Sequence, residues 1–354
     1  MSEIYQPYKK LVLNIDQQLE LLVKQGLIVK NPKRVLHYLR FIGYHRLSGY
    51  FRTFQLQNTS ELIFKKGTTF DSIISLYVFD RKLRLLVMDA VERIEVAIRT
   101  TISSTMCEKY GPHWYLKPML FKSRFNHQDL IETIKHETGF NNPKKQNKSC
   151  SNYFKNYNKP YLPPVWMVAE ALSIGAWSNI FSYLRLRKDR KQISDQYHLH
   201  YNIMSSWLHS FTYLRNLCAH HSRIWNRKFT VTPKVANKFK KHLQNNTSFY
   251  AQAAVLNVFL SVIADGSLWQ YRLLDLLDNN PDIQLEKMGF FKNWHNDPFW
   301  RICKSCSKTA NQRRQHLIGK QFLAHSKNNS GQEHLLIEHL KGVSDLAGKF
   351  AEPF

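Results

Sequence analysis

The strongest constraint on the fold is a long stretch, from about residue 71 to residue 108, that contains neither glycine nor proline. Its apolar residues recur at three- and four-residue steps, the spacing of one face of an α-helix. These positions are Phe79, Leu83, Leu86, Val87, Ala90, Ile94, Ala97 and Ile98. A helix of this length crosses a whole domain. The sequence therefore predicts a central scaffold helix.

The same helical spacing recurs along much of the chain. The further predicted helices cover residues 11–26, 31–43, 165–184, 251–264 and 267–277. Gly26 provides a stop for the first, and Asn31 with Pro32 provides a cap and a first turn for the second. Between residues 54 and 70 the pattern breaks, which predicts a connection with short extended pieces. The predicted fold class is all-α, a helical bundle with long basic loops.

One predicted helix carries residues that a core helix rarely contains. An apolar stripe through Trp207, Phe211 and Leu214 enters the segment 215–227, whose sequence is RNLCAHHSRIWNR. At about 100° per residue, Asn216 and His220 share a face, Arg223 follows one turn later, and Arg215 reaches the same area from the flank. We expect His221 and Arg223 to support this group. The pattern predicts one basic, titratable patch.

These residue types fit the cleavage of RNA without a metal. Arginine offers a planar, permanently charged fork to phosphate, whereas histidine gives or takes a proton near neutral pH. A base would activate the ribose 2′-OH, an acid would protonate the leaving 5′-oxygen, and a cation would stabilise the charge on phosphorus. No cofactor is expected, and we see no phosphate-binding glycine-rich loop.

Arg215 and His220, with a polar residue directly after the arginine, resemble the Arg-x4-His signature of HEPN ribonucleases. Residues 162–167 (LPPVWM), 215–227 and 288–300 resemble the Abi family of bacterial abortive-infection proteins, of the AbiD and AbiF type, over roughly residues 20–300. The resemblance implies an all-helical, HEPN-like phage-defence protein in which Arg215 and His220 are catalytic, with Asn216 beside them. It also implies that two such units face each other, as in a homodimer.

The charge of the chain indicates an anionic partner. The sequence contains 51 Lys plus Arg against 26 Asp plus Glu, a net charge of +25. RNA is the first candidate partner. No apolar run is long enough for a membrane span and the N-terminus lacks a signal-peptide core, so we expect a cytoplasmic protein without membrane contact.

Clusters of basic residues predict the path of the RNA. The expected RNA-binding residues are Lys144, Lys145, Lys148, Arg185, Arg187, Lys188, Arg227 and Lys228. We expect residues 141–159 to form a mobile basic loop in which tyrosines alternate with lysines, as suits single-stranded RNA. Ordinary solvated surface is the alternative for each cluster.

The polar stripe of the scaffold helix contains Glu92, Glu95 and Arg99. We expect these residues to orient the side chains of Arg215 and His220. A simple helix ion pair is the alternative. The five cysteines fit reduced thiols rather than a disulfide framework. A zinc site from Cys303 and Cys306 with His295 and His316 has irregular spacing, and we expect no metal site.

We divide the chain into an N-terminal helical region (1–70), an Abi-like core (71–300) and a tail (301–354). The tail resembles the start of CRISPR-associated HD nuclease domains but stops before any His-Asp pair, which indicates a truncated stub. Two functions remain open. The chain is either a metal-independent endoribonuclease toxin of abortive infection or an RNA-binding module that holds a structured small RNA without cleaving it.

Overall fold

The computed structural model describes residues 12–56, 62–146, 148–264 and 267–300, together with two short strands near the C-terminus. The helices are α1 Ile15–Lys24, α2 Pro32–Phe41, α3 Tyr44–Phe54, α4 Phe70–Tyr110, α5 His127–Thr138, α6 Lys148–Asn156, α7 Val165–Ala171, α8 Ile174–Tyr183, α9 Arg187–Asp195, α10 Tyr201–Ala219, α11 Phe249–Ile263 and α12 Trp269–Asp278. Short 3-10 helices cover Trp114–Leu116, Pro118–Leu120, Pro143–Lys145, Asn237–His242, Leu285–Met288, Trp294–Asn296 and Pro298–Trp300.

The two strands, β1 Leu323–His325 and β2 His334–Leu335, pair in antiparallel orientation. All other regular structure in the described residues is helical, so the predicted all-α class is confirmed. The resemblance of residues 301–354 to an HD domain concerns residues that, apart from these strands, lie outside the described part of the chain. Among the described helices, none is both long and apolar enough to cross a membrane.

The scaffold helix α4 has 41 residues and a length of about 60 Å. The predicted apolar positions from Phe79 to Ile98 line its buried side, and most of them are fully enclosed. Gly111, with φ of +84°, follows its last residue and adopts a conformation that glycine tolerates best. The long glycine- and proline-free stretch therefore forms one uninterrupted helix, as predicted.

The chain divides into two compact units, and α4 contributes its first ten residues to one and the rest to the other. The first unit contains α1 to α3 and residues up to Phe79. Here Asn31 caps α2 with Pro32 at its first turn, as predicted. The connection between residues 54 and 70 contains two isolated β-bridges, Gln55 with Phe64 and Ile28 with Thr69, which matches the predicted short extended pieces.

The second unit covers residues 80–302 and contains the segment 215–227. In this unit α10 packs against α8, α9 and α11. The residues of α11 from Phe249 to Leu260 are all buried, so this helix lies inside the core. Trp207 and Phe211 of α10 contact the ring of Phe259 of α11 and fix the buried side of α10.

Two sequence predictions about this unit are wrong. The single helix over residues 165–184 is divided into α7 and α8, because Leu172 is extended and Ser173 caps α8 through the N–H of Ala176. The mobile loop over 141–159 contains a 3-10 turn and α6, because the buried Cys150 and Tyr153 provide an apolar face that the lysine-rich composition hides.

Candidate active site

The C-terminal end of α10 presents the predicted catalytic residues. The apolar side chains of Trp207, Phe211, Leu214 and Cys218 are buried, which fixes the rotation of the helix about its axis. Asn216 and His220 are exposed, and Arg215 is half-buried at the edge of the buried face. Asn216 and His220 therefore share an exposed side of α10, and Arg215 lies at its edge.

The helix ends sooner than the sequence predicted. The last helical residue is Ala219, and His220 is the C-cap, with its N–H bonded to Asn216 O at 2.9 Å. His221 has φ of +55°, its N–H donates to Cys218 O, and the N–H of Ser222 donates to Leu217 O. This hydrogen-bond pattern is a Schellman motif with histidine where glycine is usual.

The expectation that Arg223 continues the helical face one turn after His220 is therefore wrong. His221 and Asn226 both adopt left-handed backbone conformations, which cost energy in a residue with a side chain. The sequence gives no signal for this ending, because no glycine follows the helix. Backbone strain of this kind is concentrated at functional sites.

A buried carboxylate of α4 holds the segment that follows the helix. Asp80 is fully buried, and its Oδ1 accepts the backbone N–H of Ile224 at 3.2 Å and of Trp225 at 2.7 Å. Its Oδ2 pairs with Arg84 one turn later. Asp80 was missed in the sequence, although a charge pair next to the apolar stripe of Phe79 and Leu83 is a usable signal.

A cleft between α4 and α10 brings four predicted site residues together. It has a volume of about 560 Å³ and is lined by Met88, Asp89, Val91, Glu92, Glu95, Val96, Arg99 and Arg215. The half-buried Arg99 also pairs with Glu170 of α7 at 3.1 Å. Glu92, Glu95 and Arg99 thus lie beside Arg215, whereas His220, His221 and Arg223 are not part of this lining.

Arg215 connects the cleft with the exposed face. Its Nη1 donates to Oδ1 of Asn216 at 3.1 Å. This contact turns the guanidinium of Arg215 toward Asn216. Asn216 and His220 lie one turn apart on the same side of α10. A fixed cation and an exposed imidazole at one helix end can bind a phosphate group and transfer protons.

Two ionisable side chains of α10, those of Cys218 and Tyr213, have shifted pKa values. Burial raises the pKa of the Cys218 thiol to about 12, although Arg84 lowers it, so Cys218 stays protonated and is no thiolate. Burial would also raise the pKa of Tyr213, but hydrogen bonds from Thr230 and Arg227 lower it overall. Tyr213 of α10 therefore lies near the side chain of Arg227.

The predicted RNA-binding residues lie on three segments. Lys144 and Lys145 belong to the 3-10 turn before α6, and Lys148 begins α6. Arg185 precedes α9, whose first turn contains Arg187 and Lys188, and Lys228 follows Arg227. All are exposed except Arg227, which is half-buried and donates to Arg223 O. That they form one track toward Arg215 remains a prediction.

No group of three or more His, Cys, Asp or Glu side chains suited to a metal ion occurs in the described ranges. Cys303, Cys306 and His316 of the possible zinc site lie outside those ranges.

The second unit is all-helical and carries Arg215 and His220 at the C-terminal end of α10, whose apolar side is buried. A family model described as "Abi-like protein" matches residues 37–226, which is more than half of the chain and includes Arg215 and His220. The chain belongs to the Abi-like protein family, and this membership points to a function in abortive infection. No curated protein and no solved structure matches the chain.

Proposed function

We propose that the protein is a metal-independent endoribonuclease of the HEPN type that acts as a toxin in abortive infection. The observation that carries this proposal is the end of α10, where Arg215 lines the cleft while Asn216 and His220 are exposed. Membership of the Abi-like family supports the biological role. The net charge of +25 supports RNA as the substrate.

In the proposed reaction a base removes the proton from a ribose 2′-OH, and the 2′-oxygen attacks phosphorus. The bond between phosphorus and the 5′-oxygen breaks, and an acid protonates that oxygen. The products are a 2′,3′-cyclic phosphate and a 5′-hydroxyl. His220 is the proton-transfer group, Arg215 stabilises the charge on phosphorus, and Asn216 orients Arg215 through their hydrogen bond.

The reaction needs both an acid and a base, and one chain supplies one His220. We infer that a second copy faces α10 and contributes its own Arg215 and His220. The exposed face of α10 supports this, because Asn202, His209, Asn216 and His220 are all exposed on one side of the helix, opposite its buried apolar side. Facing copies would form a homodimer with a shared site.

The carboxylates of the cleft have a supporting role in this proposal. Glu92 and Glu95 have no ion-pair partner among the described residues, and both line the cleft beside Arg215. Their negative charges attract the guanidinium of Arg215, while Arg99 is held by Glu170. Together these charges would keep Arg215 in place when RNA is absent.

The test is incubation of the purified full chain with end-labelled RNA, with and without EDTA, followed by analysis of the product ends. We expect cleavage in EDTA with 2′,3′-cyclic phosphate ends. Products with a 3′-hydroxyl, or complete loss of cleavage in EDTA, would refute the metal-independent reaction. His220→Ala and Arg215→Ala should abolish cleavage while RNA binding persists.

The matched control is His136→Ala, because His136 is an exposed histidine of α5 and lies outside the α10 face that the second copy would cover. This variant should cleave like the wild type. Binding without cleavage in the wild type would instead favour the alternative function, a module that holds a structured small RNA. Parallel loss of binding and folding in His220→Ala and Arg215→Ala would assign the patch a structural role.

A further inference from the structure

A second basic cluster lies near the N-terminal end of α10. The backbone of Lys122 donates to Tyr183 O at 2.9 Å, and Phe121 forms a β-bridge with Leu184. This pairing places two cations at the ring of Tyr183. Lys122 Nζ lies 5.7 Å and Arg124 Cζ 5.5 Å from the ring centroid.

A third cation of the cluster is almost entirely enclosed. Arg190 of α9 is 8% exposed, and its guanidinium carbon lies 4.6 Å from the ring centroid of Tyr201. Its Nε is buried without a hydrogen-bond acceptor, and it forms no ion pair within the described ranges. A buried guanidinium normally has an anionic partner, and the described residues provide none for Arg190.

The carboxylates closest in sequence to Arg190 are engaged elsewhere. Asp189 accepts hydrogen bonds from Lys109 and Tyr110 at the end of α4. Asp195 pairs with Lys191 at 2.5 Å. Neither is therefore the counter-ion of Arg190.

The cations are close enough to repel one another. Burial lowers the pKa of Lys122, and the positive charges of Arg190 and Arg124 lower it further. Burial also lowers the pKa of Arg190, and Arg187 adds to this effect. Tyr201 acts in the opposite direction on Arg190, but no carboxylate among the described residues does so on either group. The cluster is therefore a concentration of positive charge that a bound anion would stabilise.

We propose that this cluster is a phosphate-binding site formed by Lys122, Arg124, Arg187 and Arg190. The guanidinium fork matches two phosphate oxygens, and the neighbouring rings of Tyr183 and Tyr201 suit the base of a nucleotide. The first turn of α9 has no side-chain cap, so its N–H groups favour an anion as well. Tyr201 and Arg215 are separated along α10 by about 21 Å, so the site is distinct from the cleft.

The primary test uses inorganic pyrophosphate and the full chain. Thermal unfolding is followed at increasing pyrophosphate and constant ionic strength for the wild type, Arg124→Ala, Arg190→Gln and Lys191→Ala. Lys191 lies next to Arg190 in sequence but pairs with Asp195, so it controls for the loss of one positive charge. We expect saturable stabilisation of the wild type and the control, with affinity weakened roughly tenfold in Arg124→Ala and Arg190→Gln.

An equal response of all four proteins would overturn the proposal, because it would be a general effect of anions. If Arg190→Gln does not fold, the exposed Arg124 still decides the test.

Competition against pyrophosphate then identifies the source of the phosphate. Displacement by 5′-AMP indicates a free nucleotide, and displacement by short 2′-O-methyl RNA indicates an RNA backbone. Neither probe is cleaved, so the result is independent of the nuclease function.

Discussion

The carboxylate of Asp80 accepts the backbone N–H of Trp225 at 2.7 Å across 145 residues of sequence. The same oxygen accepts the N–H of Ile224, and both groups belong to the segment that leaves the end of α10. The scaffold helix α4 therefore fixes the backbone directly after His220 and His221. This contact anchors a segment that contains two left-handed residues and no glycine.

Replacement of Asp80 should affect stability more than replacement of an exposed carboxylate of the same helix. Asp80→Ala removes one ion-pair partner of Arg84 and leaves two backbone N–H groups without this acceptor. We expect the free energy of unfolding to fall by about 3–5 kcal/mol, measured by urea denaturation. Asp89→Ala is the control, because its pairs with Arg93 and Arg272 are partly exposed and should contribute less than about 1 kcal/mol. Similar losses in the two variants would contradict the anchoring role.

Local signals predicted those parts of the fold that depend on neighbouring residues. The long α4 follows from an unbroken apolar period, and the start of α2 follows from Asn31 and Pro32. Arg215, Asn216 and His220 could also be placed away from the buried side of α10, because polar residues on a core helix conflict with burial, and their catalytic role stays a prediction. For the same reason Glu92, Glu95 and Arg99 could be placed on the polar side of α4.

The parts that were predicted incorrectly depend on distant contacts. The end of α10 at Ala219 has no glycine, and Asp80 holds the following segment from a different helix. Likewise α6 gains its stability from the burial of Tyr153 and Cys150, which a composition rich in lysine and asparagine does not reveal. Tertiary packing outweighs local propensity at both places.

The proposed shared site predicts the behaviour of mixed dimers. Wild-type chains and His220→Ala chains, carrying different affinity tags, are co-expressed and the mixed species is purified by both tags. Because a shared site needs one His220 as base and the other as acid, the mixed dimer should lose most of its cleavage activity. Retention of half the wild-type activity would indicate independent sites. A stable, active monomer in analytical ultracentrifugation would contradict the dimer itself.

Stability should decrease when the pH falls below neutral, through His242. Burial lowers the pKa of His242, Lys241 lowers it further, and Asp297 partly opposes this effect. The folded protein thus holds His242 neutral, with its Nδ1 at 2.8 Å from the Tyr250 hydroxyl. The unfolded chain binds a proton at about pH 6.5, so unfolding is favoured as the pH falls through that value toward the lower folded pKa.

The measurement is the melting temperature between about pH 8 and pH 6 for the wild type and His242→Gln. The wild type should lose more stability than the variant over this range. His113 also has a pKa lowered by burial, so some pH dependence should persist in His242→Gln. Identical pH profiles would show that His242 does not contribute. Exposed His45 of α3 serves as the control, because the pH profile of His45→Gln should follow that of the wild type.

RNA binding should weaken with salt, with a contribution from the turn before α6. For single strands the log–log slope is roughly −0.7 per neutralised phosphate, so six contacts give a slope of about −4. Replacing Lys144, Lys145 and Lys148 with alanine in the His220→Ala background should flatten the slope by about two units, measured by fluorescence anisotropy. The matched control replaces three exposed lysines of the first unit, Lys24, Lys30 and Lys33, which should leave the slope unchanged. An unchanged slope in the first triple variant would show that this turn is solvated surface, and would move the RNA path to the cations after Leu184 and Arg227.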